Sequence, residues 1–195
     1  MKLIVHRVPG ETRRVCGVTP MEDLKAWLAG PRFDSLPGFL AVREDLFTRQ
    51  ALESLPRPGA DAVPALAPTA TPWNSLCVFT APDGTVTRLD PSPPPERAGT
   101  NLRLAGACWF PEMPPDAGSL EELVAGCLDR GDRVRAVTLS GKAFLVCSRE
   151  EQLRACHAVL SGLTVPGVAG CKPLNGRFIQ GTTAPSAVFS GTVWT

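Results

Sequence analysis

The side chains in this chain most able to do chemistry are seven cysteines (Cys16, Cys77, Cys108, Cys127, Cys147, Cys156 and Cys171) and two histidines, His6 and His157. A thiolate is a nucleophile or a metal ligand, and an imidazole beside it can serve as its base. Cys156 and His157 are neighbours in sequence. Adjacent helical residues point about 100° apart, so these two do not make a nucleophile–base pair. Zinc needs close Cys/His pairs drawn from short loops. The run Cys147-x8-Cys156-His157-x13-Cys171 contains no C-x2-C pair. A glycine-rich phosphate loop, G-x-S-x-G and H-E-x-x-H are all missing. The expectation is a non-enzyme with no catalytic residue, no metal and no cofactor. The cysteine count is odd, and most cysteines fall at apolar positions of expected helices and strands. Buried thiols are therefore expected, not a disulfide framework.

Composition narrows the class. The hydrophobic fraction is 44% and the charged fraction 20%, values of a globular chain with a real core. Residues 1–100 hold 11 basic and 11 acidic side chains, and residues 101–195 hold 9 and 8. Neither half has the positive excess that drives strong phosphate binding. No apolar run is long enough for a membrane span. Met1–Val8 is too short for a secretory signal and runs straight into Pro9-Gly10. An intracellular protein is expected, with nucleus and cytoplasm both open and the nucleus favoured.

Three helix starts are written plainly. Thr19-Pro-Met-Glu22, Ser119-Leu-Glu-Glu122 and Ser148-Arg-Glu-Glu151 are capping boxes. The first leads into a stripe of Leu24, Trp27 and Leu28. The second leads into Leu120, Leu123, Val124, Cys127 and Leu128, with Gly131 as its left-handed stop. The third leads into Leu153, Cys156, Val159 and Leu160, stopped at Gly162. Asn101–Phe110 reads as a strand, Arg133–Ser148 as a hairpin turned at Ser140-Gly141, and Ser186–Val193 as a last strand. Together they give a β-α-β-β-α-β order.

Earlier in the chain, Met1–Val8 and Arg13–Val18 read as a hairpin, followed by the first helix. Residues 40–55 read as a short strand and then a helix with Phe47, Ala51 and Leu55 on one face. Residues 56–72 hold five prolines and read as a stiff linker. Ser75–Thr80 and Thr85–Asp90 flank the turn Ala81-Pro-Asp-Gly84 as a further hairpin.

The runs GKAFLVCSREEQLRACHAVLSG and WFPEMPPDAGSLEELVAGCLDRGDRVRAVTL resemble parts of an RNA-recognition motif (RRM) domain. Leu174-Asn-Gly-Arg-Phe-Ile-Gln-Gly181 is similar to the Arg-x-Phe loop of the splicing-factor homology motif, the RRM variety that binds peptides. The first 28 residues look loosely like a ubiquitin-like β-grasp. The resemblance implies an α+β, ferredoxin-like (RRM-like) β-α-β-β-α-β sandwich, preceded by a small β-hairpin/helix domain. The expected division is a domain over 1–55, a linker over 56–74 and the RRM-like domain over 75–195.

In that register Arg103, Ala105, Ala107 and Trp109 face outward, and the strand 142–148 lies centrally beside the strand 102–110. The resemblance implies RNA contacts from Arg103, Trp109, Lys142 and Phe144. It implies partner contacts from Glu121, Glu122 and Asp129 on the helix and from Arg177 and Phe178 in the loop. Ala105 and Lys142 stand where RNA-reading domains stack bases on aromatics, and Ile179 replaces the peptide-binding variety's second phenylalanine. The functional expectation is a non-enzymatic interaction module of a ribonucleoprotein or splicing-type RNA-processing assembly, with protein partners. The alternatives are a direct single-stranded RNA binder, and an enzyme or ligand-binding protein on an unrelated α+β fold.

Overall fold

The computed structural model describes residues 1–8, 13–28, 36–48, 52, 55–69, 72, 75–94, 99–139, 143–160, 171–174 and 177–180. In chain order the elements are β1 (Lys2–His6), α1 (Pro20–Leu28), β2 (Phe39–Arg43), β3 (Leu46–Thr48) and β4 (Val63–Pro68). Then come β5 (Leu76–Thr80), β6 (Val86–Pro91), β7 (Leu102–Phe110) and α2 (Leu120–Asp129). Last are β8 (Val137–Thr138), β9 (Ala143–Leu145), α3 (Arg149–Leu160), β10 (Cys171–Leu174) and β11 (Arg177–Gln180). The fold is α+β with a mixed sheet and three helices among the described residues. None of those helices is long and apolar enough to cross a membrane.

At all three capping boxes the N-cap hydroxyl takes its helix amide. The hydroxyls of Thr19, Ser119 and Ser148 accept from the amides of Glu22, Glu122 and Glu151 at 3.2, 3.1 and 3.2 Å. At α1 the box is reciprocal, with the Thr19 amide donating to Glu22 at 2.8 Å. That amide, with the Thr19 hydroxyl, holds the Glu22 carboxyl below its ordinary pKa. Gly131 takes φ +76° just after α2, the left-handed stop its sequence position implies. Leu120, Leu123, Val124 and Cys127 are the buried face of α2, as their spacing requires.

The main sheet runs β1-β2-β7-β4-β8, with the β5–β6 hairpin joined to β7 through β5. β1 and β2 are parallel, so α1 lies in a β-α-β crossover between them. The hairpin expected of residues 1–18 is therefore replaced. Residues 15–18 instead close a tight turn in which Val15 and Val18 exchange backbone hydrogen bonds of 2.8 and 3.0 Å. The β5–β6 hairpin forms as expected, with Gly84 at φ +84° in its turn.

Strand β7 is where the RRM-like register fails. Its partners are β2 and β4, both antiparallel, with β5 beside its start. The expected neighbour, the strand 142–148, appears as β9 and pairs with β3. Val137–Thr138, the other half of the expected hairpin, runs parallel to β4. β4 itself lies within the segment read as a linker, and Val63, Pro64, Ala65, Leu66 and Ala67 are all buried. Pro64 is tolerated where the register with β7 shifts, between Pro64 and Leu66, and Pro68 is the last residue of the strand. Opposite that shift, Gly106 at φ +82° takes up the irregularity in β7. One sheet thus draws strands from both sides of the expected linker.

The parity read for β7 is right and its consequence is not. Leu104, Cys108 and Phe110 pack with Leu120, Leu123 and Val124 of α2. Ala105, Ala107 and Trp109 do turn to the other face, but there Leu24, Leu46, Leu139 and Leu145 cover them. The cover is α1 and the β3–β9 ribbon. The ribbon's other side, Phe47 with Val146, packs on Ala155, Cys156 and Val159 of α3. Phe47 thus belongs to a strand, not to the helix expected over its region. Leu153, expected on the buried face of α3, is 43% exposed. The strand expected at 186–193 lies outside the described residues.

Gly38 sits at φ +86° with a substituent's space already filled by the Phe110 carbonyl and the Trp109 indole. A Cβ there meets backbone as well as an unfavourable φ, and such strain costs on the order of 1–3 kcal/mol. Gly38→Ala should lower the unfolding free energy by that much, seen in urea as a lower midpoint at unchanged slope. A midpoint equal to wild type would show that the β2–β7 join is looser than described.

Candidate functional site

Of the four residues expected on an RNA-reading face, Trp109 is a core residue. It is 4% exposed, and its indole Nε1 donates to the Pro37 carbonyl at 2.9 Å. Lys142 lies outside the described residues. Arg103 and Phe144 are brought together, although not on one sheet. They line an opening of about 110 Å³ where β4, β7, β9 and α3 meet, with Ala67, Pro68, Thr69, Glu151 and Arg154 as its other walls. Arg103 is 9% exposed and held by Glu151 at 3.0 Å. Its Nε is buried without a hydrogen-bond partner. Arg154 at the rim is paired with Glu150. The half-buried Phe144 ring packs against the Phe47–Val159 core.

The acidic residues expected to meet a partner are partly engaged. Glu121 pairs with Arg43 at 2.5 Å, and Arg43 also holds Asp45 at 2.9 Å. Glu122 is exposed, and its carboxylate accepts from the Gly118 amide at 3.1 Å. Asp129 is exposed at the end of α2. Arg177 and Phe178, read as part of a loop, lie in strand β11, in register with Leu174 and Pro173 of β10.

A second grouping was not anticipated. The turn 15–18 presses on α3. The Cys16 amide donates to the Cys156 Sγ at 3.3 Å, and the Cys16 Sγ lies 3.9 Å from the Cys156 carbonyl. Cys16 sits at φ +48° and Gly17 at φ +86°, the two positive values that a type I′ turn needs. Gln152 Nε2 donates to the Arg14 carbonyl at 2.7 Å and fastens the same turn to the helix. Cys156 is 1% exposed, and burial alone would push its thiol up. The Cys16 side chain outweighs this by hydrogen bonding, helped by the Cys16 amide, and brings Cys156 down from 9.0 to about 7. The sequence cue was Val-Cys-Gly-Val, a cysteine-glycine pair at the turn centre between β-branched residues.

The other buried cysteines behave oppositely. Burial, then Cys127 nearby, pushes the Cys108 thiol well above its ordinary value. Burial also raises Cys77 and Cys127. Cys147 is exposed. No cluster of three or more His, Cys, Asp or Glu side chains able to hold a metal occurs among the described residues.

Two outcomes follow. A depressed Cys156 stabilises the fold above the unfolded value of 9.0, and this contribution is lost as pH falls through about 7. The raised thiols act in the other sense: their contribution is complete below 9.0 and is lost as pH rises above it. Stability should therefore climb between pH 7 and 9 by roughly 1–3 kcal/mol and then fall. In Cys156→Ser the climb should vanish, as denaturant titrations at several pH values would register; a climb of the same size would exclude Cys156 as its source.

The Arg103–Glu151 pair, with side chains 11% and 15% exposed, gives the second test. Glu151→Ala strands a buried guanidinium and should cost about 3 kcal/mol, whereas Arg103→Met with Glu151→Leu should cost clearly less. Equal losses would mean that water already solvates Arg103. No protein-family model matches this chain and no curated protein matches it either, so the reading of these sites rests on their own chemistry.

Proposed function

We propose that the protein is a non-enzymatic interaction module that receives a segment of a protein partner at the Phe144 opening. Its setting would be the ribonucleoprotein or RNA-processing assembly that the sequence resemblance implies. The observation that carries this is the size of the opening. At about 110 Å³ it falls well below the roughly 300–1,000 Å³ of sites that enclose small ligands. It suits a single aliphatic side chain. Both arginines that line it are held in ion pairs, Arg103 with Glu151 and Arg154 with Glu150, so it attracts neither a polyanion nor a polycation strongly.

Direct binding of single-stranded RNA is the second reading, favoured by the half-buried Phe144 ring lying beside Arg103 and Arg154. Stacked bases contribute about 1–3 kcal/mol each. With Ala105 and Trp109 covered, at most one ring remains for this among the described candidates.

A peptide library selected on the purified chain, alongside titration with a mixed-sequence RNA oligomer at physiological salt, separates the two. Selected peptides should share an aliphatic anchor and lose about tenfold or more in affinity on Phe144→Ala. RNA should bind no tighter than micromolar, indifferent to Phe144→Ala. Sub-micromolar RNA binding that collapses in Phe144→Ala would replace this reading with the second.

A further inference from the structure

The geometry points to Cys16 and Cys156 as a dithiol–disulfide couple, with a small-molecule disulfide of the glutathione class as its oxidant. The two thiols lie 140 residues apart in the chain and meet across the contact of the 15–18 turn with α3. Three features single them out from the other cysteines. The Cys16 backbone is held in the left-handed region, which non-glycine residues seldom occupy, and this placement sets its amide on the partner sulfur. Cys16 is half-buried while Cys156 is 1% exposed, so one sulfur meets solvent and the other stands behind it. The inner sulfur is also the one whose thiolate is favoured.

Exposure assigns the roles: Cys16 is the sulfur an outside disulfide can reach, and Cys156 stands behind it to resolve the adduct. Cys16 gives its proton to the Cys156 thiolate beside it, and the resulting Cys16 thiolate attacks one sulfur of the glutathione disulfide. A Cys16–S bond forms, the glutathione S–S bond breaks, and the released glutathione thiolate takes that proton from Cys156. Cys156 thiolate then attacks Cys16 Sγ. The protein S–S bond forms, the mixed disulfide breaks, and the second glutathione leaves with the proton that Cys156 lost on first ionising. Two protein thiols are oxidised by two electrons and one disulfide is reduced to two thiols. The product ties the 15–18 turn covalently to α3, where Gln152 already holds it. Cys147 is exposed and serves as an internal control that stops at the mixed disulfide.

The test equilibrates the full chain in buffers of varied oxidised-to-reduced glutathione ratio, quenches with acid, and maps the digested peptides by mass. Wild type should give a peptide linking Cys16 to Cys156, reversed by excess reduced glutathione. Its rate of formation should fall about tenfold per pH unit below neutrality, following the thiolate fraction. Cys156→Ser should lose the link and accumulate a glutathione adduct at Cys16, whereas Cys16→Ser should leave Cys156 an unmodified thiol. Wild type alone can overturn the proposal, whatever the variants do. Either a lasting adduct at Cys16 without a link, or modification of Cys147 with Cys16 untouched at every ratio, would do so.

Discussion

Everything in this fold hangs on the burial of β7 from both sides. Leu104, Cys108 and Phe110 close one core with α2, and Ala105, Ala107 and Trp109 close another with α1 and the β3–β9 ribbon. Each large apolar side chain so buried contributes about 1.5–3 kcal/mol. An ion pair such as Arg43–Glu121, still in contact with water, contributes about 0–1 kcal/mol. The apolar term therefore decides which strands flank β7, and charge only trims the result. The same burial determines what the molecule can offer a partner. A strand with two covered faces cannot be a platform for bases, so any recognition falls to the margins, where α3 and β9 leave an opening.

The local devices were legible because their physics is local. A capping box needs four residues and its own helix, and in each of the three the N-cap hydroxyl takes its helix amide. The alternation of β7 was legible too, since side chains on a strand must alternate whatever lies beyond them. What covers the second face is a long-range fact. Leu46 and Leu145, 99 positions apart, face each other in the β3–β9 ribbon, and no window of sequence holds both. The strand β4 was hidden for a different reason. Its run VPALAP has the prolines of a linker and, being buried on both faces, none of the alternation of a half-buried strand. Leu153 was placed wrongly because helical spacing defines a face without saying how wide its contact is. The face of α3 is centred on Ala155, Cys156 and Val159, and Leu153 falls outside it.

The candidate site was half legible for the same reason. Arg103 and Phe144 were picked out for a flat sheet face, and they do meet, but through a ribbon lying over the sheet. The thiol pair was not legible at all as a pair. A cysteine at the centre of a tight turn and a cysteine on a helix face are each unremarkable alone. Their meaning comes from Cys16's amide, which a strained turn aims at one sulfur 140 residues away. Neither sulfur perturbs the other until the chain has folded.

The neutral balance of the chain takes on a sharper sense once the pairs are placed. Arg43, Arg103, Arg130 and Arg154 each sit within ion-pair distance of a carboxylate. Phosphate binding gains its strength from cations that release counterions from the nucleic acid. An arginine already neutralised by a neighbouring glutamate must first give up that partner, which reduces what it gains from a phosphate. Arg103 is the extreme case, because its partner Glu151 would be left nearly buried and uncompensated. Long-range attraction by these four residues is therefore muted in the fold itself, beyond what the near-zero net charge implies. On the proposed reading, selectivity at the Phe144 opening would come from shape and contact, the kind of recognition a protein segment can supply.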